Sequence, residues 1–113
     1  MDVERVVARH IARATGVRAY LDVPADRPEE FVTVALAGGR GDMFRRELAL
    51  TVQSWAKTRM RAAEISRLVE LSVPGLMAEP DVFVAVPAST YRWPDPDSGQ
   101  QRYQTTVEMT VCE

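Results

Sequence analysis

Residues 82–112, VFVAVPASTYRWPDPDSGQQRYQTTVEMTVC, contain two alternating segments separated by a short acidic loop. Apolar and polar residues alternate over 106–112, which is the period-two pattern of a half-buried strand, and valines alternate over 82–86. Pro94 and Pro96 cannot donate hydrogen bonds to a sheet, so the break between the two segments is a loop. The pattern predicts a long C-terminal hairpin with a stiff tip.

Upstream of the hairpin, the apolar spacing first predicts a helix and then changes to the period of strands. The helix begins after Asp2, a good N-cap residue, and ends at Gly16. Three strands are predicted next, over residues 17–21, 31–37 and 44–54, with a flexible glycine-rich turn over 38–42. The residues predicted to face the core are Val3, Val6, Val7, Ile11 and Ala14 of the helix, and Val32, Val34, Leu36, Leu48, Leu50 and Val52 of the strands.

A second helix is predicted over residues 56–73 and is expected to stop at Pro74-Gly75. Its main apolar stripe comprises Trp55, Ala62, Ile65, Val69 and Val73. A second apolar set lies on another side of the helix, at Met60, Leu68 and Leu71. Covering one face of a sheet requires a single stripe, so the second set predicts a further contact, within the domain or with another subunit.

These elements give the order α-β-β-β-α-β-β. This order predicts an α+β fold in which two helices pack on a mainly antiparallel sheet of about five strands. The length of 113 residues and the lack of a linker indicate a single domain over residues 1–113. A net charge of -2 gives no general attraction to nucleic acid or to an anionic membrane.

The residues that usually carry chemistry are scarce. His10 is the one histidine and lies in the apolar arc of the first helix, where a packed histidine is the favoured interpretation. Cys112 is the one cysteine, which excludes an internal disulfide and a multi-cysteine zinc site. The acidic run at 95–99 lacks the further ligands of a calcium loop and is predicted to be a turn. No enzyme activity, metal or cofactor is therefore expected.

Arginines on the first helix leave a different class of function open. Arg5, Arg9 and Arg13 follow one another at intervals of one turn, and Lys57, Arg59 and Arg61 lie near the start of the second helix. A small nucleic-acid-binding module would use such a ridge, and salt-sensitive retention of DNA would reveal it. Solvated helix faces are the favoured interpretation, because the overall charge is slightly acidic.

Three stretches of the chain resemble the tail terminator, or tail-completion, proteins of long-tailed bacteriophages, of the lambda type. They are GVRAYLDVPADRPEEFVTV at 16–34, ALTVQSWAKT at 49–58 and YRWPDPDSGQQRYQTTVEMTV at 91–111. The resemblance extends from about Val3 to Val111, and the Pro-Asp-Pro-Asp-Ser-Gly loop followed by Arg-Tyr-Gln is its most specific part.

The resemblance implies a structural virion protein located at the head-tail junction and assembled in the host cytoplasm. Its subunits would form a ring, a hexamer in this family, that caps the tail tube, stops its polymerisation and joins the head. The implied partners are the tube protein and a head-completion or connector protein, and DNA would pass through the ring without specific binding. A neck or head-completion ring protein is the alternative in the same setting.

A head-to-tail ring requires two different surfaces on each subunit. Met60, Leu68 and Leu71 are predicted to form one subunit interface. The residues predicted to lie in loops that contact the tube or the head are Arg40, Asp42, Phe44, Arg92, Trp93, Asp95, Asp97 and Arg102.

Overall fold

The computed structural model describes residues 1–112 and confirms the predicted α+β fold. Helix α1 spans Val3–Thr15 and helix α2 spans Arg59–Ser72, followed by a 3-10 helix over Val73–Ala78. The strands are β1 (Ala19–Tyr20), β2 (Phe31–Gly41), β3 (Arg45–Ala56), β4 (Val82–Arg92) and β5 (Gln101–Cys112). They form one sheet in the order β1-β2-β3-β5-β4.

Strands β2, β3, β5 and β4 pair antiparallel to their neighbours, whereas β1 pairs with β2 in parallel. The predicted C-terminal hairpin is therefore the pair β4 and β5. Both helices pack on one face of the sheet, where the inward residues of β2, β3 and β5 form the core together with Ile11, Ile65 and Val69. The other face carries no helix among the described residues. Neither α1 nor α2 is long and apolar enough to cross a membrane.

Helix α1 has the predicted ends. The Asp2 carboxylate accepts a hydrogen bond from the backbone N–H of Arg5, and Gly16 adopts a left-handed conformation with φ of 74° and donates to the Ala12 carbonyl. The buried face differs from the prediction at two positions, because Ala8 is buried and Ala14 is exposed. Ala14 lies in the last turn of the helix, on the side turned away from the sheet.

Helix α2 begins three residues later than predicted, at Arg59, and Thr58 caps it by accepting a hydrogen bond from the N–H of Arg61. Ala56 belongs to β3 because it continues the pairing of that strand with Gln101 of β5. At the other end, α2 ends at Ser72, just before Pro74, but the chain does not leave the helical path there. The chain tightens into the 3-10 helix, in which Leu76 is buried.

One strand prediction is wrong, and one strand pairs irregularly. Leu36 was predicted to face the core, but it is exposed, although its partner across the strands, Leu50 of β3, is fully buried. In β4 the register shifts between Val82 and Val84, which exposes Phe83 and turns Ala85 into the core. A bulge adds one residue to a strand and thereby reverses the inward and outward phase beyond it.

The outer edge of β2 is covered over only part of its length. Strand β1 pairs with Val32 and Thr33. Farther along the edge, the backbone N–H of Leu36 donates to a carboxylate oxygen of Glu4 on α1 at 2.8 Å. A side chain thus takes the place of a neighbouring strand at this point.

Candidate functional site

The outer face of α2 carries a line of exposed apolar side chains. Met60 and Leu71 are 74% and 62% exposed, and Leu68 is also exposed. Ala62, Ile65 and Val69 occupy the opposite, buried side of the helix. The sequence left two contacts open for Met60, Leu68 and Leu71, one within the domain and one with another subunit. The prediction of a contact within the domain is wrong, because all three side chains are exposed. The set lies at the surface, where it can meet another molecule.

Charges at the start of α2 are balanced within the chain. The Arg61 guanidinium binds both carboxylate oxygens of Glu30, at 2.6 and 3.2 Å, and one oxygen of Glu64 at 3.1 Å. The hydrogen bonds that Arg61 donates to Glu30 raise the pKa of Arg61 above its ordinary value. Lys57 lies 3.7 Å from Glu29. These pairs join the helix start to the loop before β2, so Lys57 and Arg61 have acidic partners without a second molecule.

A second surface is the arm, defined as residues 35–45 at the far ends of β2 and β3. Every residue of the arm is exposed. The glycine-rich segment predicted as a flexible turn is strand up to Gly41, where φ is 152° and a side chain would clash with the carbonyl oxygen of Arg45. The turn itself comprises Asp42, Met43 and Phe44.

Asp42 organises this turn. Its Oδ1 atom accepts hydrogen bonds from the backbone N–H groups of Phe44 at 2.8 Å and Arg45 at 2.9 Å, and its own N–H donates to the Arg45 carbonyl. The side chains of Met43 and Phe44 remain almost fully in solvent. The tip of the arm is therefore a fixed backbone turn that presents two large apolar side chains.

We expect acid to loosen the tip. The hydrogen bonds from Phe44 and Arg45 hold the pKa of Asp42 below its ordinary value of 3.8. The carboxylate therefore stabilises the turn fully when the pH is above the ordinary pKa. This stabilisation is lost as the pH falls through the lowered pKa. The amide NMR signals of Phe44 and Arg45 should report the transition, and D42N should abolish it. A midpoint at or above 3.8 would contradict the assignment.

A third surface surrounds Trp55, near the opposite end of the sheet. The guanidinium of Arg102 lies 4.9 Å from the Trp55 ring centroid and 4.1 Å from that of Trp93, so the cation is held between two indoles. Phe31 stacks on Trp55 with a centroid distance of 5.3 Å and an angle of 8°. Arg27 lies over Trp55 at 5.2 Å. Each cation–π contact stabilises by about 0.5–1 kcal/mol when exposed and more when desolvated.

The loop after β4 is tied to this cluster. The Asp95 carboxylate accepts from Ser98 Oγ at 2.7 Å and from the Asp97 N–H at 3.2 Å, and the bond from Ser98 lowers its pKa. Gln100 accepts from Arg27 and donates to the Pro28 carbonyl. The loop is held by these hydrogen bonds, and the oxygens of Asp95 are engaged by donors of the loop. No group of three or more potential metal ligands occurs among residues 1–112.

One feature that the sequence did not predict is a row of polar side chains across the open face of the sheet. The indole N–H of Trp55 donates to Thr33, the Thr33 hydroxyl donates to Gln53, Gln53 donates to Gln104, and Gln104 donates to the Tyr91 hydroxyl. Alternation marks these residues as lying opposite the apolar face, but the sequence does not reveal which of them are neighbours across strands.

The two residues considered for catalysis occupy structural or peripheral positions. His10 is half-buried, and its Nε2–H donates to the Ser72 carbonyl at the end of α2 at 2.7 Å. Its ring also lies against Gly75, where an added side chain would meet it. Cys112 is exposed near the end of β5.

Arg5, Arg9 and Arg13 are exposed on α1, and Arg5 pairs with Asp2 at 3.1 Å.

The predicted site residues thus fall into three separate places. Met60, Leu68 and Leu71 lie on α2. Arg40, Asp42 and Phe44 lie in the arm, and Arg92, Trp93, Asp95, Asp97 and Arg102 lie in or beside the loop that joins β4 to β5. None of these places combines an enclosed pocket with a nucleophile and a base. Surfaces of this kind suit contacts between proteins.

Comparison with known proteins identifies a related fold. A scan against models of protein families gives no match, and a search of curated protein sequences gives none either. A chain in the virion of a native gene transfer agent particle has a TM-score of 0.73 and 11% identity, over 98% of this chain and 95% of that chain. At this identity the likeness shows a shared fold.

A second solved structure is the type 4 fimbrial biogenesis protein PilO from Pseudomonas aeruginosa. It has a TM-score of 0.49 and 12% identity, over 95% of this chain and 68% of that chain. A TM-score at this level carries no argument about function.

Proposed function

We propose that this chain is a structural virion protein whose subunits form a ring at the end of a phage-type tail tube. The ring stops polymerisation of the tube and provides the surface to which the head is joined. The observation that carries the proposal is the fold, which matches a chain from a gene transfer agent virion over nearly the full length of both chains. The sequence resemblance to tail terminators points to the specific position in the virion.

The surfaces described above support a role in assembly. The exposed apolar line on α2, at Met60, Leu68 and Leu71, is proposed as one subunit interface. Large exposed apolar side chains on one side of a helix are of the kind found at protein–protein contact sites. A subunit of a ring has neighbours on two sides and needs such surfaces even though it has no reaction to catalyse.

The loop between β4 and β5 is proposed to contact the tube or the head connector. Its acidic residues, Asp95 and Asp97, are held in place by hydrogen bonds within the loop. The Arg102 guanidinium between Trp55 and Trp93 fixes the base of the loop to the sheet. A preorganised loop loses little conformational entropy on binding, which favours a specific contact.

The direct test is tube assembly with purified components. The cognate tube protein is polymerised with and without this chain, and tube lengths are measured by electron microscopy. Termination predicts shorter tubes with density for this protein at the ends. A hexameric ring predicts about six copies at each capped tube end. Unchanged tubes, combined with binding to the portal-side adaptor, would instead establish a head-completion role. Binding to neither would overturn the proposal.

A further inference from the structure

The arm has a counterpart on the same chain. The counterpart, here called the flank, extends from the end of α2 through the 3-10 helix to the start of β4 and exposes Leu71, Met77 and Phe83. The 3-10 helix packs against both α2 and β4, so the three residues lie on consecutive, mutually packed elements. They remain exposed in the folded chain and are therefore not covered by the chain's own arm.

The arm and the flank have opposite charge. Arg40 of the arm is paired with Glu47 at 2.8 Å, which leaves Arg45 and the adjoining Arg46 as the positive charges on this side. The Asp42 carboxylate is engaged with the backbone of the turn. In the flank, residues 68–83, Glu70 is paired with Arg67 at 3.5 Å, which leaves Glu79 and Asp81 as its negative charges. Both surfaces thus combine exposed apolar side chains with charges of one sign.

The two surfaces also lie toward opposite edges of the sheet. The arm belongs to β2 and β3, whereas the flank ends on β4, the strand at the other edge, with β5 between them. Subunits placed side by side bring the arm of one against the flank of the next without using any surface twice. Such a heterologous contact repeats from subunit to subunit and closes into a ring when the rotation allows it.

We infer that the tip of the arm, Met43 and Phe44, docks on the flank of a second copy of this chain. Aromatic residues, methionine and arginine are the types enriched at protein interfaces, and the arm, residues 35–45, contains all three. Because Asp42 fixes the turn before binding, little entropy is lost when the two side chains are seated. The opposite charges steer the subunits into this orientation and disfavour contact of two arms or two flanks.

This inference rests on the proposed function in so far as it concerns the ring. It replaces the contact with the tube or the head that the sequence predicted for Arg40, Asp42 and Phe44. It also extends the subunit interface from Leu71 of α2 to Met77 and Phe83.

Disulfide trapping tests the contact even when association is weak. In a C112S background, chains with M43C are mixed with isotope-labelled chains with M77C, oxidised and analysed by mass spectrometry. Docking predicts that the mixed 43–77 dimer exceeds the share expected from random collision. A matched pairing of M43C with V23C, which places a thiol at another exposed apolar position, should give no excess. If the share of the mixed dimer between M43C and M77C chains equals the share expected from random collision, the inference is overturned.

Charge reversal provides an independent readout. Changing Arg45 and Arg46 to Glu on the M43C chain should reduce the excess several-fold, because the arm would then repel the flank. Adding E79R and D81R to the M77C chain should restore it. Loss without restoration would show that the charges do not face each other and would contradict the docking. Rings that cap tubes without a 43–77 excess would refute this contact alone, whereas a clear excess without capping would refute the terminator role alone.

Discussion

The W55A variant is expected to lose about 3–5 kcal/mol of unfolding free energy, the range found when a buried aromatic side chain is truncated. Trp55 is 2% exposed, stacks on Phe31 and donates its indole N–H to Thr33 at 3.1 Å. It also faces the guanidinium groups of Arg27 and Arg102. Truncation removes these contacts and leaves a cavity. Denaturant unfolding monitored by circular dichroism measures the change.

The matched control is W93A, at the other side of Arg102. Trp93 is 47% exposed, so its removal leaves no enclosed cavity. Its loss should cost about 1 kcal/mol or less, the size of an exposed cation–π contact. Equal losses for W55A and W93A would show that Trp55 does not anchor the sheet end in the way the geometry indicates.

The L71D variant is expected to abolish ring formation and leave a folded monomer. A carboxylate placed in an apolar interface must be desolvated without a partner, which costs several kcal/mol. The loss at a central interface residue is about 2–4 kcal/mol, and each 1.4 kcal/mol weakens association about tenfold. Stability should change little, because Leu71 is 62% exposed in the single chain.

Light scattering across a concentration series measures the association. The wild-type ring would have a mass near six times the 12.6 kDa of the chain, and L71D would remain at the chain mass. If the wild type assembles only on tails, pelleting with tail tubes provides the same comparison. V23D is the control, since Val23 is an exposed apolar residue outside α2, the arm and the flank. Rings of L71D at wild-type concentration would exclude Leu71 from the interface.

Local patterns predicted most of the fold. The period-two runs identified β3 and β5 because both strands are buried on one face and exposed on the other, and the caps at Asp2 and Gly16 marked α1 correctly. The exposed line on α2 was also recognisable, since Met60, Leu68 and Leu71 occupy the side opposite the main stripe. Such features depend on spacing along the chain, which the sequence displays directly.

Features that depend on partners across strands were not predictable. The glycines at 38–41 favour a turn by local propensity, yet pairing with residues 46–49 of β3 keeps them in the sheet. Ala85 is buried because of a bulge, and no residue type marks that bulge in the sequence. The hydrogen-bonded row from Thr33 to Tyr91 requires a register that joins four strands. The Arg102 sandwich likewise joins residues from different strands.

The bond between Glu4 and the Leu36 N–H has a consequence for solubility. Beyond Thr33 no strand within residues 1–112 pairs with the outer edge of β2, and an open edge is a template on which other chains can stack as cross-β aggregates. Glu4 occupies a donor of that edge and places a negative charge beside it. By this argument, replacing Glu4 with Ala is expected to free a donor of the edge and to increase aggregation of the concentrated protein.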